Sequence, residues 1–215
     1  MHYFADREEA AEQLAVHVLK HRGPDTVVLA IPRGGVPIGC LLAEQLQAPL
    51  DLVMAKKIGF PGDPEYAIGA VCENETLVET NSGVSTAYIE QQRENIKQAS
   101  MARYRTLTGR DRPVDIRQKK VILTDDGIAT GRTMLVAVRA IRKHQPAEII
   151  VAVPVCSPEA RHRLKPEVDE LISCYYPDPF IGVARFYRHF EQVTDLAVRS
   201  RLQTTLPTIN FPTPP

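Results

Sequence analysis

The stretch VILTDDGIATGRTM, residues 121–134, joins an apolar run to an apolar helix through a short polar loop. The run KKVILT (119–124) is typical of a strand, and the residues from about 131 to 144 have the apolar spacing of a helix. Two adjacent carboxylates, Asp125 and Asp126, stand between the two elements. Because open α/β sheets bind their ligands at the carboxyl ends of strands, this turn is the first candidate for a binding site.

Alternating strands and helices extend from this stretch in both directions. The apolar patterns predict strands at 26–31, 51–55, 67–72, 119–124, 148–155 and 168–174, and helices at 6–21, 36–46, 85–108, 131–144 and from Ser157 onward. Strand, helix and strand within about 30 residues form βαβ units, which imply right-handed crossovers and parallel strands. The sequence therefore predicts an α/β fold with a doubly wound, mainly parallel sheet flanked by helices.

Three segments lie outside this alternation. Residues 56–70 contain glycines and prolines at a density that predicts a long loop. Residues 175–190 follow the last strand and are expected to form a small hood. We expect one domain over 1–205, followed by a proline-rich tail at 206–215 that is extended or mobile.

Composition excludes several classes of protein. The 215 residues include 26 Lys and Arg, 26 Asp and Glu, and 44% apolar residues, which is typical of a soluble globular chain. The zero net charge argues against a nucleic-acid-coating protein. No apolar run approaches the roughly 20 residues of a membrane span, and the N-terminus lacks an apolar leader, so no membrane partner and a cytoplasmic location are expected. The four scattered cysteines are interpreted as buried, reduced thiols.

The loop after the acidic pair is suited to a phosphate group. At a helix N-terminus the backbone N–H groups have no partner within the helix, and the helix dipole favours an anion there. The threonine side chains add hydroxyl donors. The residues predicted to bind this phosphate are Ala129, Thr130, Gly131, Arg132 and Thr133.

The acidic pair calls for a different ligand group, because two carboxylates would repel a phosphate placed directly against them. Carboxylates accept hydrogen bonds from vicinal hydroxyls and also favour a hard cation such as Mg²⁺. Asp125 and Asp126, followed by the phosphate loop, therefore predict a site for a ribose 5-phosphate group.

The same residues resemble the signature of a known family. The segment from Asp125 to Thr133 closely matches the phosphoribosyl pyrophosphate (PRPP) signature of the type I phosphoribosyltransferases. The resemblance implies that Asp125 and Asp126 hold the ribose hydroxyls and take part in catalysis, and that the loop holds the 5-phosphate. It also implies that Mg²⁺ binds together with PRPP, and Asp125 and Asp126 are candidate contacts for this ion.

A second match is IPRGGVPIG, residues 31–39, at the end of the first strand. It resembles the pyrophosphate loop of the family, in which a basic or small residue precedes Gly-Gly and an unusual cis peptide turns an amide toward the diphosphate. Gly34 and Gly35 would let the backbone approach closely, and Arg33 would supply a forked donor and a catalytic charge. The alternative is an ordinary strand-to-helix turn with Arg33 in solvent.

Lys56 and Lys57 follow the second predicted strand. They resemble the basic end of a strand that contacts diphosphate in the family, with the loop at about 56–70 acting as a lid. Alternation along a strand allows only one of the two to face the site, and Lys57 is favoured. The alternative is a solvated lysine pair.

The hood segment YYPDPFIGVARFYRHF resembles the Pro-Asp-x-Phe-x-x-Gly segment of purine-using members, in which the Phe stacks on the base. Phe180 occupies that position, where an aromatic face would stabilise a flat heterocycle. Alternatively, Phe180 packs under the hood. Residues 185–189 depart from the purine pattern, and Ala129 stands where hypoxanthine- and guanine-using members carry an Asp, which disfavours those two bases.

The resemblance implies an Mg²⁺-dependent phosphoribosyltransferase that transfers the phosphoribosyl group of PRPP to a nitrogen nucleophile, a nucleobase or related heterocycle, and releases diphosphate. The alternative is a PRPP-sensing regulator of the same fold without turnover. PRPP and a small acceptor are the expected partners, and nucleic acid is not. The thinly apolar helix at 85–108 suggests a homodimer interface, or else a monomer in which this helix covers the sheet.

Overall fold

The structure, a computed structural model, describes residues 3–78 and 82–205, and of residues 64 and 65 the backbone alone. The predicted tail at 206–215 lies outside these residues. In chain order the elements are α1 (Arg7–Val18), β1 (Thr26–Ala30), α2 (Gly35–Leu46), β2 (Leu50–Leu52), β3 (Ala55–Phe60), β4 (Asp63–Cys72), β5 (Glu75–Val78), α3 (Thr86–Thr108), β6 (Lys120–Thr124), α4 (Arg132–Lys143), β7 (Glu148–Val155), α5 (Pro158–Leu164), β8 (Glu170–Tyr175) and α6 (Asp195–Thr205). Short 3₁₀ helices occupy Leu19–His21 and Val183–Phe186.

The main sheet has five parallel strands in the order β2-β1-β6-β7-β8. Its central strands are the continuous apolar runs of the sequence, and every residue of β1 is buried. Chain order reverses between β1 and β6, so the sheet is doubly wound, as the sequence predicts. The carboxyl ends of β1 and β6 therefore lie side by side.

Helices cover both faces of this sheet. Val28 and Ala30 of β1 pack in one apolar core with residues of α1, α2 and α6, whereas Val27 and Leu29 pack in a second core with residues of α4 and α5. The alternation follows from the period of two along a strand. Each fully buried aliphatic side chain contributes about 1.5–3 kcal/mol to folding, so the two cores together stabilise the layered arrangement.

Besides β3, which lies in the predicted loop at 56–70, two elements have no counterpart in the sequence prediction. Helix α6 buries only Val198 and Leu202, too few apolar positions for its period to be recognised. Strand β5 has only four residues and is half-buried along its length. Within residues 3–78 and 82–205, every helix is either too short or too polar to span a bilayer.

The predicted long loop at 56–70 is instead a β-hairpin. Strands β3 and β4 pair antiparallel, and β5 adds a third strand to this small sheet. The turn is confined to Pro61 and Gly62, the latter with φ +84°. The remaining glycines lie within the strands, where they cannot be distinguished from loop residues by composition, and that is why the loop prediction was wrong.

Helix α3 lies over one edge of the main sheet and buries only Ile96, Tyr104 and Leu107, which agrees with the thin apolar pattern. Asp51 of β2 is 1% exposed, and its carboxylate accepts hydrogen bonds from Tyr104 Oη at 2.9 and 3.0 Å and from Val114 N at 2.7 Å. Burial raises the pKa of Asp51 above its ordinary value, and these hydrogen bonds oppose that shift. The contacts fasten α3 and the segment after it to the sheet.

Removing the Tyr104 hydroxyl tests this attachment. Tyr104→Phe should lower the free energy of unfolding in urea by about 1.5–3 kcal/mol, because a buried carboxylate loses a donor. Tyr88→Phe is the matched control on the same helix, since its hydroxyl donates to the neutral carbonyl of Gly59 at 3.0 Å, and it should cost only about 0.5–1.5 kcal/mol. Equal losses in the two variants would contradict the anchoring role of Asp51.

Candidate active site

A cavity of about 530 Å³ lies at the carboxyl ends of β1 and β6. The turn after β1 forms one wall, and the loop from Asp125 to Thr133 forms another. The start of β3 and residues of α3 also line the cavity. This is the place that the chain reversal of the sheet creates, and the predicted phosphate loop borders it along its whole length.

The phosphate loop is held from its outer side. Ser157 N donates to the carbonyl of Ile128 at 2.9 Å, Ser157 Oγ donates to the carbonyl of Ala129, and an Arg163 guanidinium N–H donates to the carbonyl of Thr130. These contacts engage the carbonyls of three successive loop residues with the α5 side of the loop. Gly131 provides the turn into α4 with φ +77°, a backbone conformation that favours glycine. All five predicted phosphate ligands, 129 to 133, border the cavity.

The acidic pair is divided between two environments. Asp125 borders the cavity, and its Oδ1 accepts a hydrogen bond from Asp126 N at 2.8 Å. Burial raises the pKa of Asp125 well above its ordinary range, and the charge of Asp126 raises it further. Burial also raises the pKa of Asp126, although the charge and hydrogen bonds of Arg7 oppose that shift.

Asp126 does not border the cavity in this structure, because its carboxylate is bound to Arg7. Arg7 Nε and Nη2 lie 3.0 and 2.8 Å from Asp126 Oδ2, and the side chains are 12% and 14% exposed. Arg7 Nη1 donates to the Glu191 carbonyl at 2.8 Å, and the guanidinium carbon lies 3.8 Å from the centroid of the Phe190 ring. Arg7 was missed in the sequence analysis, and no local signal could identify it because its partner is 119 positions away.

The turn between β1 and α2 packs directly on the acidic pair. The Pro32–Arg33 peptide is cis, as the resemblance to the pyrophosphate loop implies. A Cβ atom on Gly34 would lie 2.0 Å from Asp126 Oδ2, and one on Gly35 would lie 2.8 Å from the Thr124 carbonyl oxygen. Glycine is therefore required at both positions for close approach.

The Arg33 side chain extends to the neighbouring cavity of about 300 Å³, which Arg7, Gly34 and residues 190–193 also line. Its Nη1 lies 3.8 Å from Asp195 Oδ1, so it is not merely a solvated turn residue. Arg33 is thus placed beside the main cavity rather than in its wall.

Both lysines of β3 border the main cavity, and both are exposed. The prediction that one of the two, Lys57 in preference to Lys56, faces the site stays a prediction. Ala55, Lys56 and Lys57 are the first three residues of β3, and all three line the cavity.

Phe180 is not among the residues that line the cavity. It is half-buried, and its ring centroid lies 5.0 Å from that of Phe186. It packs against the apolar core that contains residues of α1 and α2. The hood residue at the cavity is instead Val183. Base stacking by Phe180 remains a prediction, and the packing alternative describes its position here.

Helix α3 contributes residues that the motifs do not contain. Ser100 and Arg103 border the cavity, and Arg103 Nη2 donates to Asp195 Oδ1 at 2.6 Å. Among the described residues that line the cavity, the cationic side chains are Lys56, Lys57, Arg103 and Arg132, and Asp125 is the only carboxylate. The arrangement suits a small ligand with several negative charges and hydroxyl groups.

Comparisons with known proteins identify the family of the chain. A family model described as the phosphoribosyl transferase domain matches residues 4–186. A Mycobacterium tuberculosis protein provisionally named a phosphoribosyl transferase is 33% identical over 201 residues, which make up 91% of this chain and 45% of that protein. The chain thus spans about half the length of the curated relative it matches.

Two solved structures share the fold. The crystal structure of TT1426 from Thermus thermophilus is 33% identical with a TM-score of 0.79, and the match covers 95% of this chain and 99% of that one. The structure of the AQ2163 protein from Aquifex aeolicus is 17% identical with a TM-score of 0.50, covering 85% and 83% of the two chains. The second likeness concerns the fold alone.

The close contact at Gly34 generates a stability prediction. Gly34 has φ −60°, so alanine suits its backbone, and any loss must come from collision with Asp126. Gly34→Ala should reduce the free energy of unfolding by about 1–3 kcal/mol. Gly23→Ala is the control, because its Cβ would meet only Thr26 Oγ1 at 3.9 Å. If urea unfolding shows the two variants to be equally stable, the contact is not as close as described.

Proposed function

The chain belongs to the family of proteins with a phosphoribosyl transferase domain, and we propose that it transfers the 5-phosphoribosyl group of PRPP to a nitrogen nucleophile with release of diphosphate. The observation that carries the proposal is the placement of the α4 N-terminus, Asp125 and the β3 lysines around one cavity. Each of these groups matches a different part of PRPP. The acceptor proposed is a nucleobase or a related heterocycle.

The 5-phosphate would bind at the start of α4. Residues 129 to 133 border the cavity, and the carbonyls of Ala129 and Thr130 accept hydrogen bonds from Ser157 and Arg163, so the loop would offer a phosphate its N–H groups rather than these carbonyls. The helix dipole and the Thr130 and Thr133 hydroxyls add to this attraction for a dianion. The binding of phosphate here fixes one end of the substrate.

The ribose hydroxyls would donate to the acidic pair. Asp125 already borders the cavity, whereas Asp126 is engaged by Arg7 behind Gly34. We propose that Asp125 is the primary contact. The Asp126 N–H, which donates to Asp125 Oδ1 at 2.8 Å, would hold that carboxylate in place, and the Asp126 carboxylate would take part in the ribose contact while it stays paired with Arg7.

The diphosphate would be bound at the other end of the cavity by Lys56 and Lys57, with the turn residues Arg33, Gly34 and Gly35 beside it. Charge on the leaving group increases as the bond at the ribose C1 atom breaks. Preorganised cations and amides stabilise that charge in the transition state, which is the largest single contribution in many enzymes.

Mg²⁺ fits these residues as an ion that arrives with PRPP. Among the described residues, no cluster of three or more metal-binding side chains exists, and only Asp125 presents a carboxylate to the cavity. Mg²⁺ is commonly bound by one or two carboxylates, substrate phosphates and waters, so Asp125, with Asp126 nearby, would complete such a shell. When bound, the ion would neutralise charge on the diphosphate.

The chain's own contribution to the reaction is mainly positioning. Holding the phosphate, the ribose and the diphosphate at three fixed places would orient C1 toward the incoming nitrogen. The β3–β4 hairpin is the proposed lid, and its closure would exclude water that would otherwise attack C1.

Asp125 is the only carboxylate among the described cavity residues, and we assign no general base. Cytoplasmic location, the homodimer and base stacking by Phe180 stay predictions.

Calorimetry with Mg²⁺ and PRPP tests the site. Asp125→Asn and Asp126→Asn should each weaken PRPP binding, Asp125→Asn by about tenfold or more, because a charged acceptor for the ribose hydroxyls is lost. Asp25→Asn is the control, since Asp25 precedes β1 at the amino ends of the strands, whereas the cavity lies at their carboxyl ends, and it pairs with Lys119 on the surface. No binding by the wild type, or unchanged binding in both site variants, would contradict the proposal.

A PRPP-dependent screen for diphosphate release over nucleobases and small amines tests turnover separately. Release with one acceptor class supports the transferase. Binding of PRPP without release across a broad panel would favour the regulator that the sequence left open.

A further inference from the structure

A carboxylate at the start of α6 lies between two arginines of the site. Asp195 Oδ1 is 2.6 Å from Arg103 Nη2 and 3.8 Å from Arg33 Nη1. The three residues come from α6, α3 and the turn after β1, so no local motif brings them together. Asp195 is the first residue of α6, but Thr194 Oγ1 accepts from Ala197 N at 3.1 Å and caps the helix. The Asp195 side chain is therefore not needed as the cap.

Arg103 has the position of a ligand-binding side chain. It borders the main cavity together with Lys56 and Lys57. Its Nε is buried and has no hydrogen-bond partner among the residues that the structure describes. Only one edge of its guanidinium is used by Asp195, although a guanidinium can donate along two edges at once.

The pairing with Asp195 is of a kind that an anion can replace. The Arg103, Arg33 and Asp195 side chains are 36%, 38% and 47% exposed, so the ion pairs are screened by solvent and individually weak. Phosphate oxygens bind a guanidinium with the same forked geometry as a carboxylate and carry more charge. A diphosphate would therefore compete well for both arginines.

We propose that the Arg103 and Arg33 side chains both bind the diphosphate. In the free protein Asp195 pairs with both side chains, until the diphosphate group displaces it. This inference rests on the proposed function, because it concerns how the same site binds PRPP. It adds Arg103 as a binding residue from outside the motifs and assigns to Asp195 the part of an internal competitor. Asp195 keeps the two arginine side chains ordered, and the competition lowers the affinity for diphosphate.

Removing the competitor should strengthen binding. In Asp195→Asn, diphosphate and PRPP should each bind about threefold to tenfold more tightly than to the wild type in calorimetry with Mg²⁺, as expected from two exposed ion pairs. Ribose 5-phosphate, which lacks the diphosphate, should bind with unchanged affinity. Arg103→Gln should weaken diphosphate and PRPP binding, and Arg103→Lys should restore part of the loss, since it keeps the charge without the fork.

Asp111→Asn is the matched control. Asp111 Oδ1 lies 3.2 Å from Nε of Arg105, which is on helix α3 like Arg103. Neither Asp111 nor Arg105 borders the main cavity. The substitution changes the net charge by the same amount as Asp195→Asn and should leave all three affinities unchanged. Urea unfolding of every variant verifies that each is folded.

The inference is overturned by unchanged or weaker diphosphate binding in Asp195→Asn, by equal tightening for ribose 5-phosphate, or by the same gain in Asp111→Asn. Unchanged diphosphate binding in Arg103→Gln would also overturn it. Failure of the proposed function gives a different result: wild-type protein that binds no PRPP. If diphosphate alone still binds more tightly to Asp195→Asn than to the wild type, the roles of Arg103, Arg33 and Asp195 are supported even though PRPP is not the substrate.

Discussion

The ion pair between Arg7 and Asp126 is the contact on which the arrangement of the site depends. It joins the first turn of α1 to the end of β6, across 119 positions of chain, and Gly34 packs against the same carboxylate. Through Glu191 and Phe190 the same guanidinium also holds the segment before α6. Breaking a buried pair by removing one partner is strongly destabilising, because a charge is left without compensation. This one contact therefore fixes the position of four separate parts of the chain around the cavity.

The electrostatics of the site follow from this arrangement. Zero net charge over the whole chain conceals a local excess of cations, since four basic side chains and one carboxylate line the main cavity in the described part of the chain. Arg33 and Arg103 meet Asp195 at its border, so part of the positive charge is already neutralised internally. A balanced surface with a concentrated cationic site attracts one small polyanion without attracting a polymer.

Sequence patterns predicted most of the main sheet because its elements are local. The apolar runs at 26–31, 119–124 and 148–155 identify strands that are buried on both faces, and the structure confirms them as β1, β6 and β7. The same reasoning was wrong for 56–70, where glycines within the strands of a hairpin give the segment the composition of a loop. It also missed α6, whose contacts with the core are too few to produce a period. Where packing rather than periodicity decides the element, composition is a poor guide.

By itself the sequence determined the strand, loop and helix of residues 121–134 and the chemistry that they offer, because a strand end, a helix N-terminus and adjacent carboxylates are properties of neighbouring residues. Only the tertiary structure decided that Asp125 faces the cavity while Asp126 faces Arg7, and that Arg103 meets Asp195 across 92 positions. Such contacts depend on how helices pack on the sheet. Local patterns contain no information about them, since side chains far apart in sequence meet only after the core has formed.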